Sequence, residues 1–280
     1  MSNPTSLAGD RTRFDDAVGL FTQKKIPEAL SVLESITDPQ MLVLKYYYIG
    51  LCYVQIGELE KALDAYRHVR EVPATLDGIG SENILFGLYI NMGSVLQALA
   101  KNKGRKYLED AVECYKYAQQ LDASNPKVWN NLGNAHLDLE QYGDAEAAFQ
   151  KAIELDDEFP EANYSLSLVY EFTGRYEDAI SQLKLVYRFK SRNKLVLNRL
   201  AGLNFGIGRY DEAKTYALRA VESHPQDPTA HKNLALVLYN LQDYSQAYQV
   251  YLKFKELAPT FNDPEVNGLF KDLEIRMKKM

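Results

Sequence analysis

The residues able to do covalent or metal chemistry are few and do not gather. Four histidines, His68, His136, His224 and His231, are scattered along the chain, and no two stand at a His-x3-His spacing that would bring both imidazoles onto one helical turn. His136 and His231 fall in positions that read as packed or helix-edge side chains. Cys52 and Cys114 form no Cys-x2-Cys pair and lie in apolar helical stretches, which predicts buried, inert thiols. A phosphate-cradling G-x-x-x-x-G-K-[ST] loop is absent, as is a G-x-S-x-G nucleophile turn. The carboxylates sit at helix starts and on polar helix faces, where solvation is their ordinary role. The expectation is a chain without catalytic residues, metal or cofactor. What remains chemically recognisable is amides and bases. An asparagine side chain donates and accepts at once, so it can match one peptide unit of an extended chain. The run Lys101-Asn102-Lys103-Gly104-Arg105-Lys106 places four bases in six residues and reads as a surface loop, solvated or facing an acidic partner.

Both kinds of group need a frame. The chain has 280 residues, 46% of them apolar and 25% charged, enough apolar surface to exclude general disorder. Its net charge of −6 makes it a poor polyanion binder, and neither the run at 101–106 nor the tail Arg276-Met277-Lys278-Lys279 has the aromatic interleaving of a single-strand nucleic-acid site. No run of uninterrupted apolar residues is long enough to cross a bilayer, and the first residues lack the basic start and apolar core of a signal peptide. A cytoplasmic location is the expectation.

The frame is a repeat. Alanines preceded by a turn or acidic stretch and followed by an apolar run stand at Ala29, Ala62, Ala111, Ala145, Ala179, Ala213 and Ala247, at intervals of 33, 49, 34, 34, 34 and 34. The longer interval holds 15 extra residues, placed in a Gly-containing linker at 77–85 and in the basic insertion at 101–106. Small residues precede each alanine: Ala17, Gly50, Gly93, Gly133, Ser167, Ala201 and Ala235. Apolar residues follow it four and seven positions on, the spacing of one helical face rather than of a strand. Each unit therefore reads as two short helices, with glycine ending the first at Gly57, Gly174 and Gly208. The small residues are expected to face the alanines and let paired helices approach.

The best-formed unit carries Trp129-Asn130-Asn131-Leu132-Gly133-Asn134-Ala135-His136, then Tyr142-Gly143-Asp144-Ala145, Phe149 and Ala152. In these residues the chain resembles the tetratricopeptide repeat family, with His136 standing where a tyrosine is usual. The resemblance covers seven units, closest over 86–261, then 43–76, then 10–42. It implies an all-α, right-handed α-solenoid of stacked antiparallel helix pairs. The units fall at 10–42, 43–76, 86–125, 126–159, 160–193, 194–227 and 228–261, as one solenoid domain over 10–261. Residues 1–9 read as disordered. Residues 262–280 begin with Asp263-Pro264-Glu265, a helix start, and continue as an apolar stripe of Val266, Leu269, Phe270, Leu273 and Met277 that would cap the last pair.

A helical solenoid offers a concave face lined by its first helices. Residues aligned just before the large aliphatic of each unit are Tyr48, Asn91, Asn131, Ser165, Arg199 and Asn233. The resemblance implies that Asn91, Asn131 and Asn233 form an amide ladder holding a peptide backbone; the alternative is that asparagine is simply common in the repeat. Adjacent groove candidates are Lys127, Asn130, Asn134, Tyr164, Leu168, Phe172, Asn198, Phe205, Lys232, Leu236 and Tyr239, a mixture suited to an extended peptide with one or two apolar anchors. A subset of the family holds acidic C-terminal tails with lysines. Here Asn130, Asn134 and Leu195 stand at the corresponding places, so that clamp is not expected. The expected function is a non-catalytic adaptor binding a protein or peptide partner. The alternative is a structural subunit that self-associates, as a homo-oligomer, or joins a complex through its outer face.

Overall fold

A computed structural model describes residues 4–71 and 81–279. The described residues are all-α: consecutive helices pair through short turns, without a strand. They divide into two compact units, 1–157 and 158–280.

The first unit holds α1 (Pro4–Thr22), α2 (Ile26–Glu34), α3 (Leu42–Gln55), α4 (Leu59–Glu71), α5 (Ser81–Lys103), α6 (Arg105–Leu121), α7 (Pro126–Asp138) and α8 (Tyr142–Leu155). Helix α1 opens at Pro4, inside the stretch expected to be disordered. Of the expected linker, 77–80 lies outside the described residues and 81–85 forms the first turns of α5. The basic insertion is not a loop either: Lys101 and Lys103 end α5, Gly104 turns the chain with φ 94°, and Arg105 and Lys106 begin α6. The extra residues thus lengthen one helix pair. The reason is apolar. Leu88, Met92, Val95, Leu96 and Leu99 run along α5 into a core shared with Tyr66, Tyr115, Leu132 and Leu139. The stretch Asn83–Lys103 is, among the described residues, long and apolar enough to cross a membrane by length and composition, and Leu88, Met92, Val95, Leu96 and Leu99 of it are buried in this core. A second core lies under α1–α3, around Phe14, Leu33, Met41 and Ile49.

The second unit holds α9 (Pro160–Phe172), α10 (Tyr176–Phe189), α11 (Lys194–Gly206), α12 (Tyr210–Ser223), α13 (Pro228–Asn240), α14 (Tyr244–Leu257) and α15 (Pro264–Lys279). Its main core joins Ala201, Ala217, Leu234, Leu238, Tyr251 and Phe254 to Phe270 and Leu273 of α15.

Two details of the repeat differ from expectation. A Cβ added at Gly133 would lie 2.6 Å from the ring of Phe149, and at Gly50 or Gly93 it would meet Tyr66 or Tyr115 just as closely. In these three units the small residue makes room for the aromatic four places after the alanine. The left-handed turn after each first helix is glycine at Gly57, Gly174 and Gly208, but Lys24, Glu140 and Gln242 hold the same conformation with φ near 60°. There the turn closes through backbone bonds, as Gln141 N–H to His136 O at 2.9 Å and Glu140 N–H to Leu137 O at 2.9 Å.

Candidate functional site

Burial pushes the thiols of Cys52 and Cys114 up to about 11, and both are buried. His231 is buried with Nε2 at 2.9 Å from Pro225 O, His136 Nδ1 lies 2.7 Å from Gln141 Oε1, and His68 stacks on Tyr46. Among the described residues no three His, Cys, Asp or Glu side chains are grouped to hold a metal.

In the second unit, the first helices of three successive pairs enclose a hollow of about 560 Å³. It contains three of the expected residues: Asn198 and Arg199 from α11 and Asn233 from α13. Helical spacing puts them there, since Asn198 and Asn233 stand about one repeat apart on equivalent helices. They are already engaged with one another and with their surroundings. Asn233 Nδ2 donates to Asn198 O at 3.2 Å, and Asn198 Nδ2 donates to Asp227 Oδ2 at 2.6 Å. Arg199 Nε donates to the hydroxyl of Tyr164 at 3.1 Å, and its Nη1 pairs with Glu171. The buried Oδ1 of Asn198 has no hydrogen-bond partner among the described residues.

Around this hollow the other expected residues separate. Phe172 ends α9 with 65% of its surface exposed, whereas Phe205 is half-buried against Tyr210. Ser165 is half-buried on α9. Lys232 and Tyr239 turn toward the C-terminus: Lys232 Nζ lies 5.7 Å from the centroid of the Phe261 ring, and the Tyr239 hydroxyl donates to Asp272 of α15 at 2.6 Å. Tyr239 ties the last helix down.

In the first unit, Asn91 of α5 donates through Nδ2 to the Tyr47 hydroxyl at 3.2 Å. The side chain of Asn131 of α7 makes no hydrogen bond among the described residues and is half-exposed. Asn134 is half-buried, Lys127 is exposed in the first turn of α7, and Asn130 is buried with Oδ1 unpartnered. Of the four bases at 101–106, three face the chain's own acids: Lys103 pairs with Glu60 at 3.3 Å, Arg105 with Glu109 at 3.6 Å and Lys106 with Asp110 at 3.0 Å.

Sequence reasoning missed Glu171, Asp227, Thr229 and Gly202, which complete the hollow. Asp227 had a visible signal, an acid directly before the Pro228 that opens α13. Glu171 had none, because acids are common on solvated helix faces. It also missed the buried Asn163 and Asn204, whose amides donate to Phe159 O and Leu200 O one turn earlier.

Consecutive helix pairs joined by short turns, with equivalent positions recurring on successive first helices, define a helical repeat protein. Residues 104–267, more than half the chain, match the model of the family described as the Cilia and flagella-associated protein 70 C-terminal domain, a tetratricopeptide repeat domain, and residues 46–72 match a tetratricopeptide repeat model. The chain belongs to this tetratricopeptide repeat family, whose members generally serve as protein-interaction scaffolds and are typically not enzymes. It is similar to anaphase-promoting complex subunit 3 of Schizosaccharomyces pombe (strain 972 / ATCC 24843), 22% identical over 287 residues, 95% of this chain and 43% of that protein. It is also similar to Superkiller complex protein 3 of Homo sapiens, 31% identical over 134 residues, 46% of this chain and 8% of that protein. The chain thus spans less than half the length of these relatives. Among solved structures, the C-terminal part of a TPR repeat-containing protein from Cytophaga hutchinsonii matches with a TM-score of 0.70 at 16% identity, covering 91% of this chain and 98% of that one. YrrB, a TPR protein with an unusual peptide-binding site, matches with a TM-score of 0.54 at 21% identity, covering 69% and 91%. At these identities both likenesses concern the fold.

Proposed function

We propose that the chain is a non-catalytic adaptor whose first helices hold an extended segment of a protein partner. The observation that carries this reading is the hollow between α9, α11 and α13, where Asn198, Arg199 and Asn233 converge on a space large enough for several peptide residues. In the other unit, taken by itself, Asn131 of α7 and Asn91 of α5 are amides of the same kind on first helices. Each amide that donates within the protein keeps a second N–H for a ligand. Asn131 is the cleanest probe, because its loss removes no bond among the described residues. Random peptides displayed on phage and selected against the protein supply a ligand. Replacing Asn131 or Asn233 by alanine is then expected to weaken the selected peptide by about 0.5–1.5 kcal/mol each. The melting temperature of Asn131→Ala should stay unchanged. Unchanged affinity in both variants would place the binding surface elsewhere.

A second reading is favoured by one observation: the curated relatives are, by name, components of complexes. In this reading the chain is a structural subunit. The same variants separate the two, since a subunit that assembles through other surfaces would enrich no peptide sensitive to Asn131 or Asn233.

A further inference from the structure

Arginines in this chain mostly face carboxylates. Arg11, Arg13, Arg67, Arg105, Arg175, Arg199, Arg209 and Arg276 all do. Arg70, Arg188, Arg192 and Arg219 are the exceptions, with no ion pair among the described residues, and Arg192 and Arg219 line one hollow. This hollow measures about 390 Å³ and is built from second helices, α10 and α12, with the turn that follows α10. Its walls are Tyr187, Ser191 and Arg192 on one side and Arg219, Glu222 and Ser223 on the other. It is distinct from the amide-lined hollow, which first helices form.

The Arg219 side chain and the backbone that carries Arg192 are held in place. The Arg219 guanidinium bonds the Tyr187 hydroxyl and lies 5.6 Å from the centroid of that ring. Tyr187 is fixed in turn by an edge-on contact with Tyr216 at 5.7 Å. The turn carrying Arg192 is pinned to the end of α12 by His224, whose Nε2 lies 2.7 Å from Arg192 O. Two guanidinium groups and the hydroxyls of Ser191 and Ser223 therefore border one space, each with donors to spare. Several donors with two positive charges match a group bearing three terminal oxygens and a charge near −2, and arginine's fork suits it geometrically.

We propose that this hollow binds a phosphorylated serine or threonine side chain of a protein partner. Glu222 selects among sources of phosphate. A lone carboxylate beside the anion repels a free phosphate ion, but it accepts a hydrogen bond from the backbone N–H groups that flank a phosphorylated residue in a peptide. The volume accommodates the phosphorylated side chain together with part of its own backbone.

The test uses the full chain and three probes at low ionic strength: an end-capped heptapeptide library with phosphoserine fixed at its centre, the same library with serine there, and inorganic phosphate. Phosphorylated peptides are expected to bind at least tenfold more tightly than their serine twins. Arg192→Gln and Arg219→Gln should each lower affinity about tenfold, the scale of one charge-assisted contact. Arg192 makes no side-chain bond within the described residues, so Arg192→Gln should melt as the native protein does. Glu222→Gln should strengthen inorganic phosphate more than the peptides. Phosphate-independent binding, binding indifferent to Arg192→Gln, or inorganic phosphate as tight as the phosphopeptides would each overturn the proposal. The Asn131 and Asn233 variants should leave this binding intact, which keeps it separate from the adaptor reading.

Discussion

Asp10 shows what a single side chain can do that a repeat pattern does not announce. It is fully buried in α1, and its Oδ2 accepts the N–H groups of Thr37 at 2.9 Å and Asp38 at 2.7 Å, while Oδ1 accepts from Arg13. It thereby joins the first helix to the turn after α2. Burial pushes its carboxyl up, but the two backbone donors and Arg13 together outweigh burial and hold it below the ordinary 3.8. Because the folded value is depressed, the stabilisation is complete above the unfolded value and is lost as pH falls through the folded one. Thermal melts over about pH 2–6 should show the first unit losing stability below about pH 4. Asp10→Asn should remove much of that dependence and cost about 1–3 kcal/mol at neutral pH, because its NH2 group would face the Arg13 guanidinium. An unchanged acid profile would show that Asp10 does not couple α1 to this turn. From the sequence, Asp10 was the bare start of the least regular unit, and its partners are backbone groups about 28 residues away. The left-handed residues Lys24, Glu140 and Gln242 were equally hidden. Only glycine advertises that conformation, and a neighbouring helix can impose it on other residues at a cost of roughly 1–2 kcal/mol. Groove residues were half legible for a related reason. Register places Asn198, Arg199 and Asn233 on the right faces, but register is silent about Asp227 and Glu171 occupying their donors.

At the scale of a helix, the last one was the most legible. Asp263 accepts from the N–H groups of Glu265 and Val266, both at 3.1 Å, and so starts α15 as a capping side chain does. Phe270 stacks on Tyr251 with ring centroids 4.3 Å apart and lies 5.7 Å from Phe254. Asp272 and Glu274 receive the hydroxyls of Tyr239 and Tyr251 at 2.6 and 3.1 Å. Phe270-Lys271 takes the register of Leu234-Ala235, so an exposed lysine stands where the other first helices carry a small residue. Removing residues 263–280 should strip the ring of Phe270 from two buried aromatics and leave two hydroxyls without acceptors. The truncated protein is expected to aggregate, or to lose the last pair with a lower melting temperature. If it stays monomeric and melts as before, α15 is not a cap. The pair α5–α6 was the least legible, because an interval that breaks the period looks like loop when only the period is read. The breaking residues are apolar at helical spacing, and the core of the first unit draws them into a helix of 23 residues.

For the molecule as a whole, stability should be graded rather than uniform. Each helix pair touches chiefly its neighbours, so a pair in the middle of a unit is supported on two sides and a terminal one on one side. In the first unit the core around Tyr66, Leu96 and Tyr115 draws on three successive pairs, whereas among its described side chains α1 contributes only Phe14 and Ala17 as buried apolar residues to its own cluster. In the second, α13 places Leu234, Ala235, Leu236 and Leu238 in a core shared with residues before and after it, while α15 contributes Phe270 and Leu273. Native-state hydrogen exchange reads this directly, since amides exchange through the smallest opening that frees them. Protection is expected to be highest in α5–α6 and α13, and lowest in α1 and α15, with exchange spreading inward as denaturant is added. The apolar residues that mark each helical face predict the order, because they count how many neighbours a helix must lose before its amides open. Uniform protection across all the helices of a unit would mean that the unit opens only globally. The nearest-neighbour account of its stability would then be wrong, and deleting one terminal helix would unfold the unit rather than shorten it.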